Sequence, residues 1–291
     1  MKSFSYYLVI GVLRLKGMKK KFKQSPIDYK SLRNDDVPFP KGSFFKKNAT
    51  KFKVLKSTVV ELSNSKSDKL LIFVHGGAFV FGPNQHHWDT MKSLFEKTNF
   101  SVWMCDYPKA PESSIKEITQ NIDAIIDIAY EKYDQQNVIL IGDSVGGNLI
   151  ITHIQRQISS NKNLPQKIIL ISPVMDASMS NPEISRVDKV DPMLSLNGVL
   201  SAKQMAAKDI SLSDSIISPL NGGFDGFPNV ELYIGENDIT FPDQLIFHQK
   251  LTQASVPNEL VIGKGMPHIW PLLPIMKESK QALRQIIDGL K

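Results

Sequence analysis

The feature that most constrains this chain is the segment Asn137–Asn148. There a β-branched run from Val138 to Ile141 passes through Gly142-Asp143-Ser144-Val145-Gly146 into the apolar-periodic stretch Leu149, Ile150, His153, Ile154 and Ile158. That order predicts a strand, a tight turn and a helix, with a serine at the apex. Glycines on both sides of the turn let strand and helix approach closely, and the sharp bend lifts the serine hydroxyl clear of the backbone. The five-residue pattern G-x-S-x-G alone is weak; the strand before it and the helix after it make it constraining.

Other segments supply the neighbours such a strand needs. Lys69–Val74 is a continuous apolar run, as expected of a strand covered on both faces. It ends in His75-Gly76-Gly77-Ala78-Phe79, where glycines let backbone N–H groups point at a ligand. A helical stretch near Asp89 to Thr98 leads to a strand at Phe100 to Cys105, and Ile115 to Tyr130 carries Ile115, Ile118, Ile122, Ile125, Ile126 and Ala129 on one helical face. Further strands are expected at Phe52–Leu55, Thr58–Leu62, Lys167–Ile171, Asn229–Ile234 and Glu259–Ile262, and further helices at Asp243–Ala254 and Ile275–Leu290. Short apolar strands alternating with helices predict an α/β fold, a mainly parallel central sheet flanked by helices on both sides. Right-handed crossovers then bring the loops after the strands to one edge of the sheet.

Two regions break the alternation. Residues 1–50 are lysine-rich, interrupted by Pro26, Pro38 and Pro40, and read as a separate N-terminal segment before a main domain at 51–291. Within that domain, residues from about 174 to 228 are rich in Ser, Asp and Pro, with one helical piece near Asn197 to Lys208, and read as an insertion. A chain of 291 residues with 42% hydrophobic and 22% charged residues is long enough to bury a large core around such a sheet.

A serine hydroxyl is a poor nucleophile at neutral pH and needs a base, which in turn needs an acid to fix its tautomer and stabilise its cation. In a fold of this kind the order along the chain is Ser, Asp, His, each on a loop after a strand. The chain offers Ser144, then Asp238 in Gly235-Glu236-Asn237-Asp238, then His268 in Gly263-Lys264-Gly265-Met266-Pro267-His268. Asp243 stands a little further from its strand and is the alternative acid. His153 and His248 fall on predicted helices and read as structural, and His75 reads as a buttress of the glycine stretch. His86 and His87 are adjacent in a loop or helix start, and with no carboxylate or cysteine partners expected near them no metal site is expected, and no cofactor is implied.

These residues resemble the hormone-sensitive-lipase-like branch of the α/β-hydrolases over roughly residues 55–290. That family combines a His-Gly-Gly-Gly oxyanion loop with a Gly-Asp-Ser-Ala-Gly-Gly nucleophile motif. Here the counterparts are His75-Gly76-Gly77-Ala78 and Gly142-Asp143-Ser144-Val145-Gly146-Gly147, joined by Tyr107-Pro108-Lys109-Ala110-Pro111-Glu112 and Asp191-Pro192-Met193-Leu194-Ser195. The resemblance implies the α/β-hydrolase fold and a catalytic triad of Ser144, Asp238 and His268. It also implies an oxyanion hole in which the N–H groups of Gly77, Ala78 and Val145 act while Gly76 shapes the loop, with His75 and Asp143 in support. The front segment and the 174–228 insertion would form a helical cap over the acyl pocket. Ala78 departs from the family's third glycine, and Asp238-Ile239-Thr240 lacks its usual proline.

The implied activity is hydrolysis of small carboxylic esters of short to medium acyl chains through an acyl-enzyme. An amide deacylase or a lipid-directed lipase could use the same triad, and a ligand-binding homologue without catalysis is a third reading. The net charge of +6 owes much to Lys16, Lys19, Lys20, Lys21 and Lys23 and to Lys46, Lys47, Lys51 and Lys53. No aromatic-interleaved basic motif accompanies them, so nucleic acid is not the expected partner. Tyr6 to Leu15, apolar except for Arg14, is too short to span a bilayer, for which about 20 residues are needed. An amphipathic helix lying on the protein or on a membrane fits it. The single cysteine, Cys105, suits a cytoplasmic, reducing setting, with membrane association through the front segment as the variant reading. Oligomeric state leaves no mark in the sequence.

Overall fold

Every residue of Leu70–Val74 is buried, a condition a strand meets only when both faces and both edges are covered. The computed structural model describes residues 2–291; Met1, the first residue of the front segment, lies outside them. In chain order the elements are α1 (Phe4–Leu15), α2 (Met18–Phe22), α3 (Tyr29–Arg33), α4 (Ser43–Asn48), β1 (Ala49–Val54), β2 (Ser57–Leu62), β3 (Leu70–Val74), α5 (Gln85–Lys97), β4 (Ser101–Asp106), α6 (Ile115–Lys132), β5 (Val138–Asp143), α7 (Val145–Ser159), β6 (Lys167–Ile171), α8 (Ile184–Asp188), α9 (Leu196–Ala207), β7 (Asn229–Gly235), α10 (Phe241–Gln253), β8 (Asn258–Gly263) and α11 (Lys277–Asp288).

The eight strands form one sheet in the order β1-β2-β4-β3-β5-β6-β7-β8. β1 and β2 pair antiparallel, as do β2 and β4, and all the remaining pairs are parallel. This is the α/β-hydrolase fold. Register places the loops. Val74 lies opposite both Cys105 and Gly142, so the glycine stretch after β3 emerges beside the serine turn after β5. Gly235 lies opposite Gly263, which sets the Asp238 loop next to the His268 loop.

Helix α6 buries the six apolar positions that the helical period selects, and Ser114 with Glu117 forms the capping box that starts it. Helix α5 begins at Gln85, four residues before the start expected from the apolar pattern. Asn84 caps it, and the His87 side chain returns to the Asn84 N–H at 2.9 Å. Helix α11 begins at Lys277, two residues later than expected, because Ile275 follows Pro274 and takes a left-handed φ of 74°.

The first four helices precede the sheet, and β1 starts at Ala49, so the last residues of the 1–50 segment already belong to the sheet. Helices α8 and α9 lie between β6 and β7. Any side chain at Gly198 of α9 would collide with the Phe22 backbone of α2, so the two helices touch there. The Ile27 N–H donates to Ser201 Oγ at 3.0 Å, and Lys19 Nζ to the Asp191 carbonyl at 2.9 Å. Among the described residues, no helix is long and apolar enough to cross a membrane.

Candidate active site

The serine turn is a strained corner. Ser144 has φ 53° and ψ −122°, a region disfavoured for a residue with a Cβ, and it persists because the surroundings hold it. Its N–H donates to the Ile171 carbonyl at 2.9 Å, and its carbonyl accepts the Val174 N–H at 3.1 Å. Gly146 must be glycine because a Cβ would be driven into the Val74 carbonyl, which lets α7 start directly against β3 and β5. Val145 is the first residue of α7, where helix geometry leaves the N–H without an intrahelical acceptor.

The loops after β7 and β8 are tied together. The Glu236 N–H donates to the Gly263 carbonyl at 3.1 Å and the Asn237 N–H to the Met266 carbonyl at 2.9 Å. His268 Nδ1 then meets Asp238 Oδ2 at 2.8 Å, with both residues buried. Asp243, the alternative acid, accepts instead from Asn181 Nδ2 at 2.8 Å. Burial is the largest influence on the Asp238 carboxyl and pushes its pKa up, but His268 together with hydrogen bonds from the Thr240 N–H and hydroxyl outweighs it, leaving Asp238 below the usual carboxylate value. Burial likewise pulls His268 down, and the charges of Asp238, Asp191 and Asp143 outweigh it, so the imidazole is held above its ordinary value.

Asp191 carries a structural role that its place in a motif does not reveal. Its Oδ1 accepts the Met193 and Leu194 N–H groups, and its Oδ2 accepts the Ile239 N–H at 2.8 Å, so it pins the residue after Asp238 from the insertion side. Burial and the neighbouring Asp238 charge push its carboxyl up to about 7.

The glycine stretch after β3 folds back on itself. Gly77 takes φ 120°, and a Cβ there would strike the Phe81 carbonyl; Ala78 and Phe79 follow at φ 52° and 65°. Among the described residues the N–H groups of Gly77 and Ala78 have no acceptor, whereas the Gly76 N–H donates to Asp143 Oδ1 at 2.9 Å. Gly76 therefore braces the loop and is not free to donate to a ligand. His75 stacks on Tyr107 at 4.4 Å, and the Tyr107 hydroxyl donates to the His75 carbonyl at 2.8 Å. Burial holds the His75 imidazole well below its ordinary pKa, so it is neutral.

The pair His86 and His87 requires a correction. A carboxylate does lie beside it: His87 Nε2 is 3.3 Å from Asp143 Oδ1, across a sequence separation that no local pattern could reveal. His86, His87 and Asp143 form the only His, Cys, Asp and Glu group among the described residues with metal-site composition, their donor atoms all within 4.8 Å of one another. The hydrogen bonds favour a brace over a metal centre. His87 Nδ1 accepts the Asn84 N–H, so the ring proton sits on Nε2 and points at Asp143, whose other engagement is the Gly76 N–H.

The serine turn, the glycine stretch and the His268 loop meet at one cavity of about 550 Å³. Ser144, His268, Gly77, Ala78 and Val145 line its floor, and Leu32, Val174, Met193, Leu194, Val199 and Leu273 give it apolar walls. His153 lies elsewhere, bonded to Asp123 at 2.6 Å, and His248 is on α10. Two residues that sequence reasoning passed over clamp the floor from the front segment. Arg33 donates to the carbonyls of Val80 and Ala110 at 2.7 Å each and to both oxygens of Glu112. Asp36 Oδ1 accepts the Gly82 N–H at 2.6 Å, and burial pushes its carboxyl up to about 6. Their one sequence signal is an arginine and an aspartate, three residues apart, in the short polar stretch just before Pro38.

A family model described as alpha/beta hydrolase fold matches residues 71–272. An esterase of Acinetobacter venetianus is 30% identical over 232 residues, 78% of this chain and 76% of that protein. The crystal structure of a Staphylococcus aureus protein superposes with a TM-score of 0.83 at 29% identity over 90% of each chain. That of an esterase from the bacterial hormone-sensitive lipase family gives 0.83 at 21% identity over 100% of this chain and 98% of the other, a likeness of fold.

Proposed function

Because the chain belongs to the α/β-hydrolase family and is by that kinship a hydrolase of ester bonds, we propose that it is a serine carboxylesterase working through an acyl-enzyme. The observation that carries the reading is the buried His268–Asp238 pair opening on a cavity floored by Ser144 and by the free N–H groups of Gly77 and Ala78. Asp238 accepts the Nδ1 proton and leaves Nε2 as the base. Ser144 Oγ attacks the ester carbonyl carbon as Nε2 takes its proton, through a hydrogen bond that forms when substrate is bound. The N–H groups of Gly77, Ala78 and Val145 receive the negative charge that develops on the carbonyl oxygen, donors of a kind worth about 3 kcal/mol each. Collapse breaks the bond to the alcohol oxygen, which leaves with the proton from Nε2. Water then attacks the Ser144 acyl ester by the same steps in reverse order, releasing the acid.

The front segment and the 174–228 insertion act together as the cap, supported by the contact of α2 with α9 and by the apolar walls that both segments contribute. The substrate is a small uncharged ester whose acyl group those walls accept. A series of p-nitrophenyl esters of increasing acyl length tests this. The wild type should turn over the shorter members, and Ser144→Ala should lose at least about 10⁴-fold in kcat. Failure of the wild type to hydrolyse any ester, or full activity of the alanine variant, would sink the reading.

A further inference from the structure

Helix α1 is apolar on two sides, and the protein covers only one. Tyr6, Val9 and Ile10 pack into the core. The opposite stripe, spaced as one face of a helix, holds Phe4, Tyr7, Leu8, Val12 and Leu15, at 85%, 61%, 49%, 42% and 89% exposure. A surface helix normally turns polar side chains to water, and a helix apolar all round is expected to be covered. Ile275, 63% exposed, extends the patch; the Lys277 N–H donates to Ser5 Oγ at 2.9 Å, which fixes that segment beside α1.

Two features say what covers this stripe. The first is charge. α1 contains no acidic residue, and Arg14, Lys16, Lys20 and Lys23 are exposed beside or just beyond its end, whereas Lys19 and Lys21 already pair with Asp188 and Asp35. A second copy seated on the stripe about a twofold axis would bring these cations, unpaired among the described residues, toward their own counterparts. The second is position. Leu8, Val12, Lys16 and Ile275 belong to the wall of the same cavity that reaches down to Ser144, so the exposed stripe is continuous with the cavity entrance.

We propose that the exposed face of α1 seats on an anionic lipid surface, with the cavity entrance against the bilayer, so that the substrate is an acyl ester drawn from that surface. The lipid-facing surface stands by itself; the acyl-ester substrate rests on the esterase reading. Apolar side chains enter the acyl boundary while the cations meet the headgroups, each cation near such a surface adding about 1 kcal/mol.

The test uses the full chain as Ser144→Ala, which needs no turnover, and measures co-sedimentation with vesicles of phosphatidylcholine alone or mixed with phosphatidylglycerol. The protein should pellet with the mixed vesicles and be released by high salt, which screens the headgroup attraction. Phe4→Ser/Leu15→Ser should lower binding at least about tenfold. Lys20→Glu/Lys23→Glu should lower it at least about thirtyfold, two cations at about 1 kcal/mol each. In the Ser144 background both pairs should hydrolyse a soluble p-nitrophenyl ester at the wild-type rate, since none of the four residues lines the cavity. No pelleting with the mixed vesicles, binding equal to wild type in both variants, or a dimer that the Phe4→Ser/Leu15→Ser change converts to monomer would overturn the proposal. Loss of ester turnover in the wild type with vesicle binding intact would remove the esterase reading and leave the lipid surface standing.

Discussion

The two walls of the cavity are built on opposite terms. On the sheet side the groups around the serine turn are braced by named partners: Asp238 holds His268, Asp143 holds Gly76, and Tyr107 holds the His75 carbonyl. On the side of the proposed cap α1 and the insertion helices contribute apolar side chains, and α1 leaves Phe4 and Leu15 almost wholly in water. The proposed attack by Ser144 requires groups fixed before substrate arrives, because a donor that must reorganise loses most of its electrostatic advantage. Admission of an apolar acyl group requires only surface that gains by being covered. The sheet side is therefore expected to be intolerant of single atoms, and the cap side tolerant of all but its anchors.

The largest effect should separate the two aspartates near the base. Asp238→Asn should lower kcat by about 10³- to 10⁴-fold, since the amide presents a donor to Nδ1 and favours the wrong tautomer. Asp243→Asn, bonded to Asn181 and not to His268, should stay within about threefold. Comparable losses in the two variants would dissolve the assignment of the acid.

Arg33→Ala probes the seam between the walls. Removing its bonds to Val80, Ala110 and Glu112 should cost about 2 kcal/mol in urea denaturation and slow ester turnover about tenfold, because the glycine loop loses its outer clamp. A loss of stability with unchanged kcat would place Arg33 in the fold alone.

The pH dependence follows from the raised His268. As the proposed base, His268 must be neutral, so the ascending limb of kcat/KM should centre above the unperturbed value of about 6.5. The sign for stability is opposite. A raised folded pKa gives a contribution that is complete below the unfolded value and is lost as pH rises through the folded one, so activity grows as this pair's stabilisation fades. Asp191→Asn removes one of the charges holding His268 up and should move the limb to lower pH by less than about one unit. A limb centred below 6 in the wild type would contradict the charge assignment.

The smallest effect belongs to Ala78. Its left-handed φ of 52° is disfavoured for a residue with a Cβ, so Ala78→Gly should raise stability by up to about 1 kcal/mol, read from the urea midpoint, without changing kcat by more than about twofold.

Much of this architecture was legible from local pattern. The run Val138–Ile141 ahead of Gly142 predicts a strand entering a tight turn, and the period from Ile115 to Ala129 predicts the buried face of α6, because hydrophobic spacing records which side of an element meets the core. The start of helix α5 leaves no apolar signal, since its cap depends on the His87 ring reaching back to Asn84. The His87–Asp143 contact, and with it the carboxylate beside the histidine pair, spans a separation of 56 residues and has no local trace. The same holds for Arg33, whose four acceptors lie on two different loops.

What the sequence alone determined is the set of chemical parts and their order: Ser144, Asp238 and His268, each after a strand, with a glycine-rich stretch after β3. A parallel sheet with right-handed crossovers delivers such loops to one edge whatever their details. Only the tertiary structure decided which partner each part has. It paired His268 with Asp238 and not Asp243, turned the Gly76 N–H away from the cavity onto Asp143, and set α1 at the cavity entrance with one apolar face uncovered. The reason is physical: period and turn chemistry act over a few residues, whereas hydrogen-bond partners and burial depend on distances between segments far apart in the chain.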